Sequence, residues 1–377
     1  MASAASADLP QFKGRAGWEF TDISALDLAA YEPAPAGDSH GAESLFSLEP
    51  AGLPDGVIVT SIAEAAGDPR FGSLLSGADD AFVALNEQGS PDGTFVYVPA
   101  GVGVEQPISL QTVQSQSKTI LNQRTLVVLE EGARAEVWEE YTSAEPELDA
   151  VFNIVTELVV GANAHLRYVC GQDLSEKSWV FGAQRASVDR DGSLDWVALG
   201  FGSIGGHVRM ETRLAGPGAD ARVTGAYASH GRQHIDFDTT QEHAAPSTTS
   251  DLAFRGVLQG RSSAVWKGNI IVDPGAQKTD AFQESRNLLL SKRAHADAIP
   301  GLEIQANDVR CTHAAAIAQV DPEQLYYLRS HGLPESDAKR LVIEGFLAAL
   351  VERFEAGAVR EVLGDVLERR LDAILSD

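Results

Sequence analysis

The feature that most constrains this chain is a long run of short β-strand patterns, from Ala81 to Val320, without one convincing helix. Segments such as TFVYV (94–98), FNIVTELVV (152–160) and AVWKGNIIV (264–272) are rich in β-branched residues and separated by Gly, Asn and Asp. More than about twelve such segments exceed one ordinary sandwich, whereas a solenoid can add coils indefinitely. The run therefore favours a parallel β-helix, with a double-sheet sandwich or jelly roll as the alternative.

One local signal favours antiparallel pairing instead. Asp191-Gly192 lies between two apolar segments that end at Val188 and begin at Ser193. Asp-Gly is a strong signal for a type I′ hairpin turn. The pair therefore predicts a hairpin at this position.

The regions on either side of the β-run have different patterns. Residues 1–80 mix short amphipathic segments with Pro and Gly, and we interpret them as a small, mostly helical cap. Residues 81–320 form the predicted β-core, and after Val320 the apolar period changes to that of helices. The chain is therefore divided into 1–80, 81–320 and 321–377.

The C-terminal region, 321–377, contains three predicted helices. Asp321-Pro322 places an N-cap and a first-turn proline at the start of the first helix, and Gly332 ends it. The second helix, 336–354, carries an apolar stripe that includes Leu341, Phe346 and Leu350. Such stripes usually cover a core, but they also serve as docking grooves for partners, and both interpretations stay open.

Composition excludes several classes of function. The chain has 29 Lys and Arg against 54 Asp and Glu, a net charge of −25, which disfavours nucleic acid as a partner. No apolar run approaches the roughly 18 residues of a membrane span. The start, MASAASADLP, lacks the features of a secretory signal, so we expect a cytoplasmic protein.

Nucleotide-binding motifs are weak or absent in the sequence. Gly200-Phe-Gly202-Ser-Ile-Gly205 matches the dinucleotide fingerprint in letters, but the alternating segment 207–214 that follows predicts a strand where the motif needs a helix. There is no Walker A loop. ATP hydrolysis coupled to this chain would therefore belong to another protein.

A group of histidines offers one enzymatic hypothesis. His230 and His234 share parity with Asp236 and Asp238, and His243 follows. Such side chains on one face of a β-barrel can hold a divalent metal, as in a cupin-like metal-dependent enzyme. The simpler interpretation is that they bond to neighbouring groups within a stacked β-fold.

The sharpest local feature is Cys311-Thr312-His313. On a strand, Cys311 and His313 project the same way at roughly 6.5 Å, so a thiolate and an imidazole can contact one metal or one cluster edge. A closed site needs about four ligands, and the chain has two cysteines, of which Cys170 is far away in sequence. A buried thiol beside a hydrogen-bonded histidine is the competing interpretation.

The C-terminal half resembles the SufB/SufD family of iron-sulfur cluster assembly proteins. The resemblance rests on QEHAAPSTTS (241–250), FRGVLQG (254–260), 264–291, 300–333 and AKRLVIEGF (338–346), with Gly17–Asp22 similar to an N-terminal aromatic motif of the family. Within the family the chain is more similar to SufD. Lys292-Arg293-Ala294-His295 stands without a thiol where SufB is expected to carry its cluster-receiving cysteine, and 308–313 resembles a SufD pattern.

This resemblance implies a mainly β fold, a right-handed parallel β-helix between helical N- and C-terminal regions. It implies no enzymatic activity of its own, a heterodimer with a SufB-like paralogue, and a SufC-like ABC ATPase docked through residues such as Leu341, Phe346 and Leu350. His313, and secondly Cys311, become ligands of a transient iron-sulfur cluster shared with the paralogue, and ATP enters only through the ATPase. For the isolated chain, the resemblance leaves a homodimer open.

Overall fold

The computed structural model describes most of the chain. The described residues are 18–34, 44–46, 52–65, 67–77, 80–89, 92–354 and 358–375. The segment 1–10, on which the expectation about a secretory signal rests, lies outside them, as does Gly17 of the N-terminal motif.

Strands dominate the described residues. They are β1 (Glu32–Pro33), β2 (Ile58–Ser61), β3 (Asp92–Val98), β4 (Ile108–Gln114), β5 (Thr119–Leu129), β6 (Arg134–Ser143), β7 (Val151–Val160), β8 (His165–Asp173), β9 (Trp179–Val188), β10 (Ser193–Gly200), β11 (Gly205–Leu214), β12 (Asp220–Ser229), β13 (His234–His243), β14 (Thr249–Leu258), β15 (Ser263–Val272), β16 (Asp280–Leu289), β17 (His295–Ile304) and β18 (Arg310–Gln319). The α-helices are α1 (Ala81–Gln88), α2 (Pro322–Ser330), α3 (Glu335–Val351) and α4 (Ala358–Leu375).

Successive strands alternate between two parallel sheets. Sheet A has the order β17-β15-β13-β11-β9-β7-β5-β3-β2, and sheet B has the order β18-β16-β14-β12-β10-β8-β6-β4. Each strand from β3 onward hydrogen-bonds in parallel to the strand one coil away, and β2 pairs antiparallel with β3. The chain therefore winds as a parallel β-solenoid of about eight turns. The predicted β-helix is confirmed and the sandwich alternative is excluded.

The hairpin predicted at Asp191-Gly192 is wrong. Strands β9 and β10 belong to different sheets and do not pair. Asp191 has a left-handed φ of 54°, like Asn163 and Gly218 at the same corner of neighbouring coils, and each donates its N–H to a carbonyl of the next coil. The pair supplies the left-handed residue that a solenoid corner needs, a conformation that Asp and Gly tolerate.

The solenoid interior is filled by side chains that stack from coil to coil. One inward row of sheet B consists of Ile108, Val137, Tyr168, Trp196, Val223 and Leu252, all buried. Burying each large apolar side chain contributes about 1.5–3 kcal/mol relative to exposure. Rows of this kind hold the sheets together and determine which residues point inward at the last coil.

Helices α3 and α4 cover the outer face of sheet B. Their buried apolar residues, together with Phe354 just after α3, pack against outward residues of β10, β12 and β14. The helical residues include Ile343, Leu347, Leu350, Val359, Leu363, Val366, Leu371 and Ile374. The stripe of α3 is rotated relative to the predicted one, because Ile343 and Leu347 are buried whereas Leu341 is exposed. No helix within the described ranges is long and apolar enough to cross a bilayer.

The helix ends follow the predicted capping chemistry. The Asp321 side chain accepts a hydrogen bond from the Glu323 N–H at 2.9 Å, and Pro322 occupies the first helical position of α2. At the other end of the molecule, the sequence pattern missed α1. This helix begins at Ala81, where the β-core was expected to begin, because the Asp80 side chain caps it and Phe82 and its neighbours bury apolar side chains.

The segment before Ala81 contains little helix where it is described. Its regular elements there are a 3-10 helix at Leu28–Ala30 and the short strands β1 and β2. Much of 1–80 lies outside the described residues. The mostly helical cap and the three domain boundaries therefore stay predictions.

Candidate functional site

The last coil of the solenoid is open. Strands β17 and β18 are the edge strands of sheets A and B at the C-terminal end of the solenoid, and within the described residues no further strand pairs with either there. Their inward positions continue buried rows of the preceding coil, yet Ile304 is 43% exposed and Ile317 is 44% exposed. The end therefore presents interior side chains and unpaired backbone groups to whatever lies beyond it.

Cys311 and His313 lie on this open coil and face the interior side. Cys311 pairs in register with Ala281 and His313 with Gln283, and both of these β16 residues are fully buried. His313 thus continues the inward row that begins at Ile108, and it is exposed because no further coil follows among the described residues. Both predicted ligands therefore lie at the open C-terminal end of the solenoid, and Thr312 lies on the opposite face of β18.

The two candidate ligands differ in their burial and in the form in which each binds a metal. Cys311 is half-buried, and burial together with the nearby Asp280 carboxylate raises the pKa of its thiol. A thiol must lose its proton to bind a metal, so Cys311 needs a bound cation to ionise near neutral pH. His313 is exposed, and its imidazole binds metals as a neutral group. Two donors leave a coordination shell incomplete.

A layer of polar side chains lies directly beneath the open coil, and the sequence analysis missed it. Gln283, Ser285 and Asn287 occupy consecutive inward positions of β16 and are buried. Asn287 accepts a 2.5 Å hydrogen bond from the Tyr227 hydroxyl. A sequence signal for this polar layer exists. The segment QESRN (283–287) places polar residues at inward positions, which earlier coils of sheet B fill mainly with apolar residues.

The segment Lys292-Arg293-Ala294-His295 connects β16 to β17 near the same end. His295 is exposed, and its Nε2 lies 3.1 Å from a carboxylate oxygen of Asp297. The segment contributes no thiol, so Cys311 is the only cysteine on the last coil.

The three histidines of the cupin-like hypothesis are not brought together. His234 faces outward, with its Nε2 3.1 Å from the Thr21 hydroxyl, whereas His243 faces inward and bonds Thr248 and Ser250 at 2.8 and 2.9 Å. Their odd sequence separation on β13 puts them on opposite faces. His230 precedes the strand and lies 2.7 Å from Glu176.

Metal-binding clusters are also missing elsewhere in the described ranges. No group of three or more His, Cys, Asp or Glu side chains there converges as metal ligands would. The cupin-like alternative is therefore not favoured.

The predicted docking residues on α3 have three different surroundings. Leu341 is 49% exposed, whereas Leu350 is 3% exposed and packs inward. Phe346 is half-buried beneath the Arg255 guanidinium, which lies 5.0 Å from the ring centre and donates to the Phe346 carbonyl at 2.9 Å. Leu341 is thus the member of the three that a partner can contact directly.

Two family models match the chain. The model described as "SUF system FeS cluster assembly, SufBD core domain" matches residues 112–346, and "SufBD protein N-terminal region" matches residues 44–110. The core match contains the solenoid from β5 onward, the Cys311 and His313 coil, and most of α3.

Curated relatives agree with the family models. The chain is 36% identical over 281 residues to the iron-sulfur cluster assembly protein SufD of Bacillus subtilis, covering 74% of this chain and 64% of the relative, which is less than two thirds of its length. It is 32% identical over 320 residues to a SufBD family protein of Mycobacterium tuberculosis, covering 81% and 78%.

A plant protein extends the comparison. The chloroplastic protein ABCI7 of Arabidopsis thaliana is 31% identical over 340 residues, covering 85% of this chain and 70% of the relative. Its location differs from the cytoplasm expected here, so the compartment of this chain stays a prediction. Together with the solenoid and its open coil, these matches show that the chain belongs to the SufBD family of the SUF iron-sulfur cluster assembly system.

Proposed function

We propose that this chain is a non-catalytic subunit of a SUF assembly complex, in which it holds a nascent iron-sulfur cluster at an interface with a SufB-like paralogue. The observation that carries the proposal is the open last coil with Cys311 and His313 on its interior side. Membership of the SufBD family and the similarity to SufD support the cluster as the cargo.

The open end is suited to pairing with another solenoid. Edge strands present rows of unpaired N–H and C=O groups that favour pairing with another chain. Pro300 lies in β17 and has no N–H to donate, so the row of donors on this strand has a gap at that residue. The partially exposed Ile304 and Ile317 add apolar area. In the absence of the paralogue, two copies of this chain would pair through the same end.

Ligand roles follow from the chemistry of the two side chains. His313 is our first choice as ligand because it is exposed and imidazole is the commonest metal ligand in proteins. Cys311 is the second, since its raised pKa disfavours the thiolate until iron arrives. The paralogue supplies the remaining ligands. The cluster is therefore shared and transient, and it is not a resident cofactor of the chain.

The C-terminal helices are proposed to dock a SufC-like ATPase, which binds and hydrolyses the ATP. A groove of about 630 Å³ runs between α3 and α4, lined by Leu347, Val351 and Leu367 among others. Leu341 and the exposed Tyr326 and Tyr327 of α2 provide direct contacts. Phe346 and Leu350 act indirectly, by holding α3 on sheet B.

The test is co-expression with SufB-like and SufC-like proteins, followed by copurification and cluster reconstitution. A three-component complex should form with the native chain and with His313→Ala, and the His313→Ala complex should hold far less cluster. Thr312→Ala is the matched control, because Thr312 points away from the interior. Equal cluster content in the His313→Ala and native complexes would refute the ligand role, and failure to copurify would refute the complex.

A further inference from the structure

Gln283 has a buried side-chain amide whose nitrogen is fully hydrogen-bonded but whose oxygen is not. Its Nε2 donates across the interior to the carbonyls of Gly268 at 3.2 Å and Gly301 at 3.1 Å, which uses both amide hydrogens. Its Oε1 is buried and has no hydrogen-bond partner in the structure as described. Leaving a buried acceptor unpaired costs free energy, so such an atom in a native fold calls for an explanation.

His313 is the register partner of Gln283 on the next coil. The two Cα atoms are directly opposite on adjacent parallel strands, which lie about 4.8 Å apart, and both side chains point to the interior side. Neither ring nitrogen of His313 contacts a partner among the described residues. A neutral imidazole has one N–H donor and one acceptor nitrogen. A donor without a partner and an acceptor without a partner thus belong to register neighbours on adjacent strands.

We propose that Gln283 is the positioning residue for His313: its amide oxygen accepts the N–H of one ring nitrogen and leaves the other nitrogen facing the open end. Because the two Nε2 bonds to Gly268 and Gly301 hold the amide, Oε1 cannot exchange places with the nitrogen. Histidines that bind metals usually donate their second N–H to such an acceptor, which determines the tautomer and orients the ring. The inference rests on the proposed ligand role of His313.

Trp266 provides the rival donor for the same oxygen. Its indole Nε1 is also buried without a partner, and both its ring and Gln283 Oε1 crowd the Cβ position of Gly268. If Oε1 bonded the indole, the amide would have no influence on His313. The experiment therefore includes a variant at each position.

The direct test is the tautomer of His313 in the isolated full-length chain, read from ¹⁵N shifts of labelled histidine at about pH 8, where histidines are mostly neutral. The resonance of His313 is assigned by its loss in His313→Ala. We expect one dominant tautomer in the native chain and a mixture in Gln283→Met, which keeps the size but removes the acceptor. Gln283→Glu, which keeps an acceptor oxygen, should restore the single tautomer.

Two control variants make the test specific. Ser285→Ala changes the next inward residue of β16, whose register partner is Ala315, and Trp266→Phe removes the rival donor. Both should leave the His313 tautomer unchanged. An unchanged tautomer in Gln283→Met would overturn the proposal, and so would a mixture in Trp266→Phe.

A second measurement separates this proposal from the proposed function. In the assembled complex, Gln283→Met should weaken iron binding by about 10- to 100-fold, as expected for the loss of a group that orients a ligand. If His313→Ala leaves cluster content unchanged, the ligand role fails even when the tautomer responds to Gln283. If His313→Ala abolishes the cluster and Gln283→Met changes neither tautomer nor affinity, the positioning role fails alone.

Discussion

The two ends of the solenoid are built differently. At the first coil, β2 pairs antiparallel with β3, and Val57 and Val59 pack against the interior, so the inward Ile108 of β4 is buried. At the last coil nothing in the described residues takes that place, and Ile304 and Ile317 stay partially exposed. A solenoid needs capping at both ends to stay monomeric. Among the described residues, the last coil has no such cap, which is why the proposed subunit contact is placed there.

The two ends also differ in how particular polar side chains are hydrogen-bonded. Near the first coil, the buried Arg124–Glu157 ion pair at 2.6 Å anchors the N-terminal segment, because Glu157 also accepts hydrogen bonds from the N–H groups of Gly72, Leu74 and Leu75. The Glu157 carboxylate is thus paired by groups of the chain itself, and Arg124 Nη1 also lies 3.7 Å from the Glu87 carboxylate. Near the last coil, Gln283 Oε1 and the His313 ring are left without partners. The Glu157 carboxylate is paired within the chain, whereas the Gln283 oxygen and the His313 ring have no partner among the described residues.

The largest expected effect is at the capped end. Glu157→Ala removes the nearest counter-charge of the buried Arg124 guanidinium, leaving only Glu87 at 3.7 Å, and leaves three N–H groups without their acceptor. We expect a loss of about 3–5 kcal/mol of unfolding free energy, measured by denaturant titration. Glu242→Ala is the control, since it removes an exposed pair with Arg213 that is worth at most about 1 kcal/mol. Equal losses in both variants would contradict the anchoring role.

The second effect is a pH dependence of the free energy of unfolding, caused by His243 in the C-terminal half. Burial lowers the pKa of His243 from 6.5 to about 4, so the unfolded chain binds this proton more readily than the folded chain. Stability should therefore fall by up to about 3 kcal/mol as the pH falls from 6.5 to 4, with no change from this group above that range.

The measurement compares melting midpoints of the native chain and His243→Asn across this pH range. The variant removes the titrating group, so its midpoint should fall less steeply between pH 6.5 and 4. Parallel pH curves for the two proteins would show that His243 does not contribute.

The third prediction compares how substitutions at the two ends of the solenoid change its affinity for the paralogue. Ile317→Glu places a charge in the open end and should weaken association with the paralogue by about 10- to 100-fold, because interface contacts of this kind are typically worth 1–3 kcal/mol. Ile58→Glu is a matched control, since Ile58 is 45% exposed and lies on β2 at the capped end. Titration calorimetry with the purified paralogue gives both affinities, and equal weakening would contradict the assignment of the interface.

The smallest effect concerns the helices. Leu341→Ala should leave the stability of the chain within about 0.5 kcal/mol and weaken ATPase binding by about 5-fold. Leu53→Ala, at a residue 44% exposed in the N-terminal region, should change neither quantity. Pull-down titrations with the ATPase measure the binding, and an unchanged affinity in Leu341→Ala would move the docking surface away from this face of α3.

The sequence predicts the fold well where strands are apolar and poorly where they are not. Strands such as β7 and β15 were evident from their β-branched residues, whereas β17 contains Pro300 and Gly301 and β13 carries charged residues throughout. These two strands gave no clear strand signal. Edge position explains β17, because proline is tolerated where no ladder bond is required.

The sequence indicates only part of the candidate site, for a similar reason. Cys311 and His313 stood out as a pair of ligand types two residues apart on a segment expected to be a strand. Gln283 did not, because its importance comes from the register between β16 and β18, and that pairing depends on the whole coil length. Likewise Asp191 looked like a hairpin turn, since local turn chemistry does not distinguish a hairpin from a solenoid corner.

The central claim is that this chain donates one histidine to a cluster completed by another subunit. The most direct measurement is pulsed electron paramagnetic resonance on the reduced, cluster-loaded complex, with ¹⁵N-labelled histidine in this chain only. The account predicts a ¹⁵N coupling to the cluster that disappears in His313→Ala. A cluster-loaded complex without any ¹⁵N coupling from this chain would contradict it.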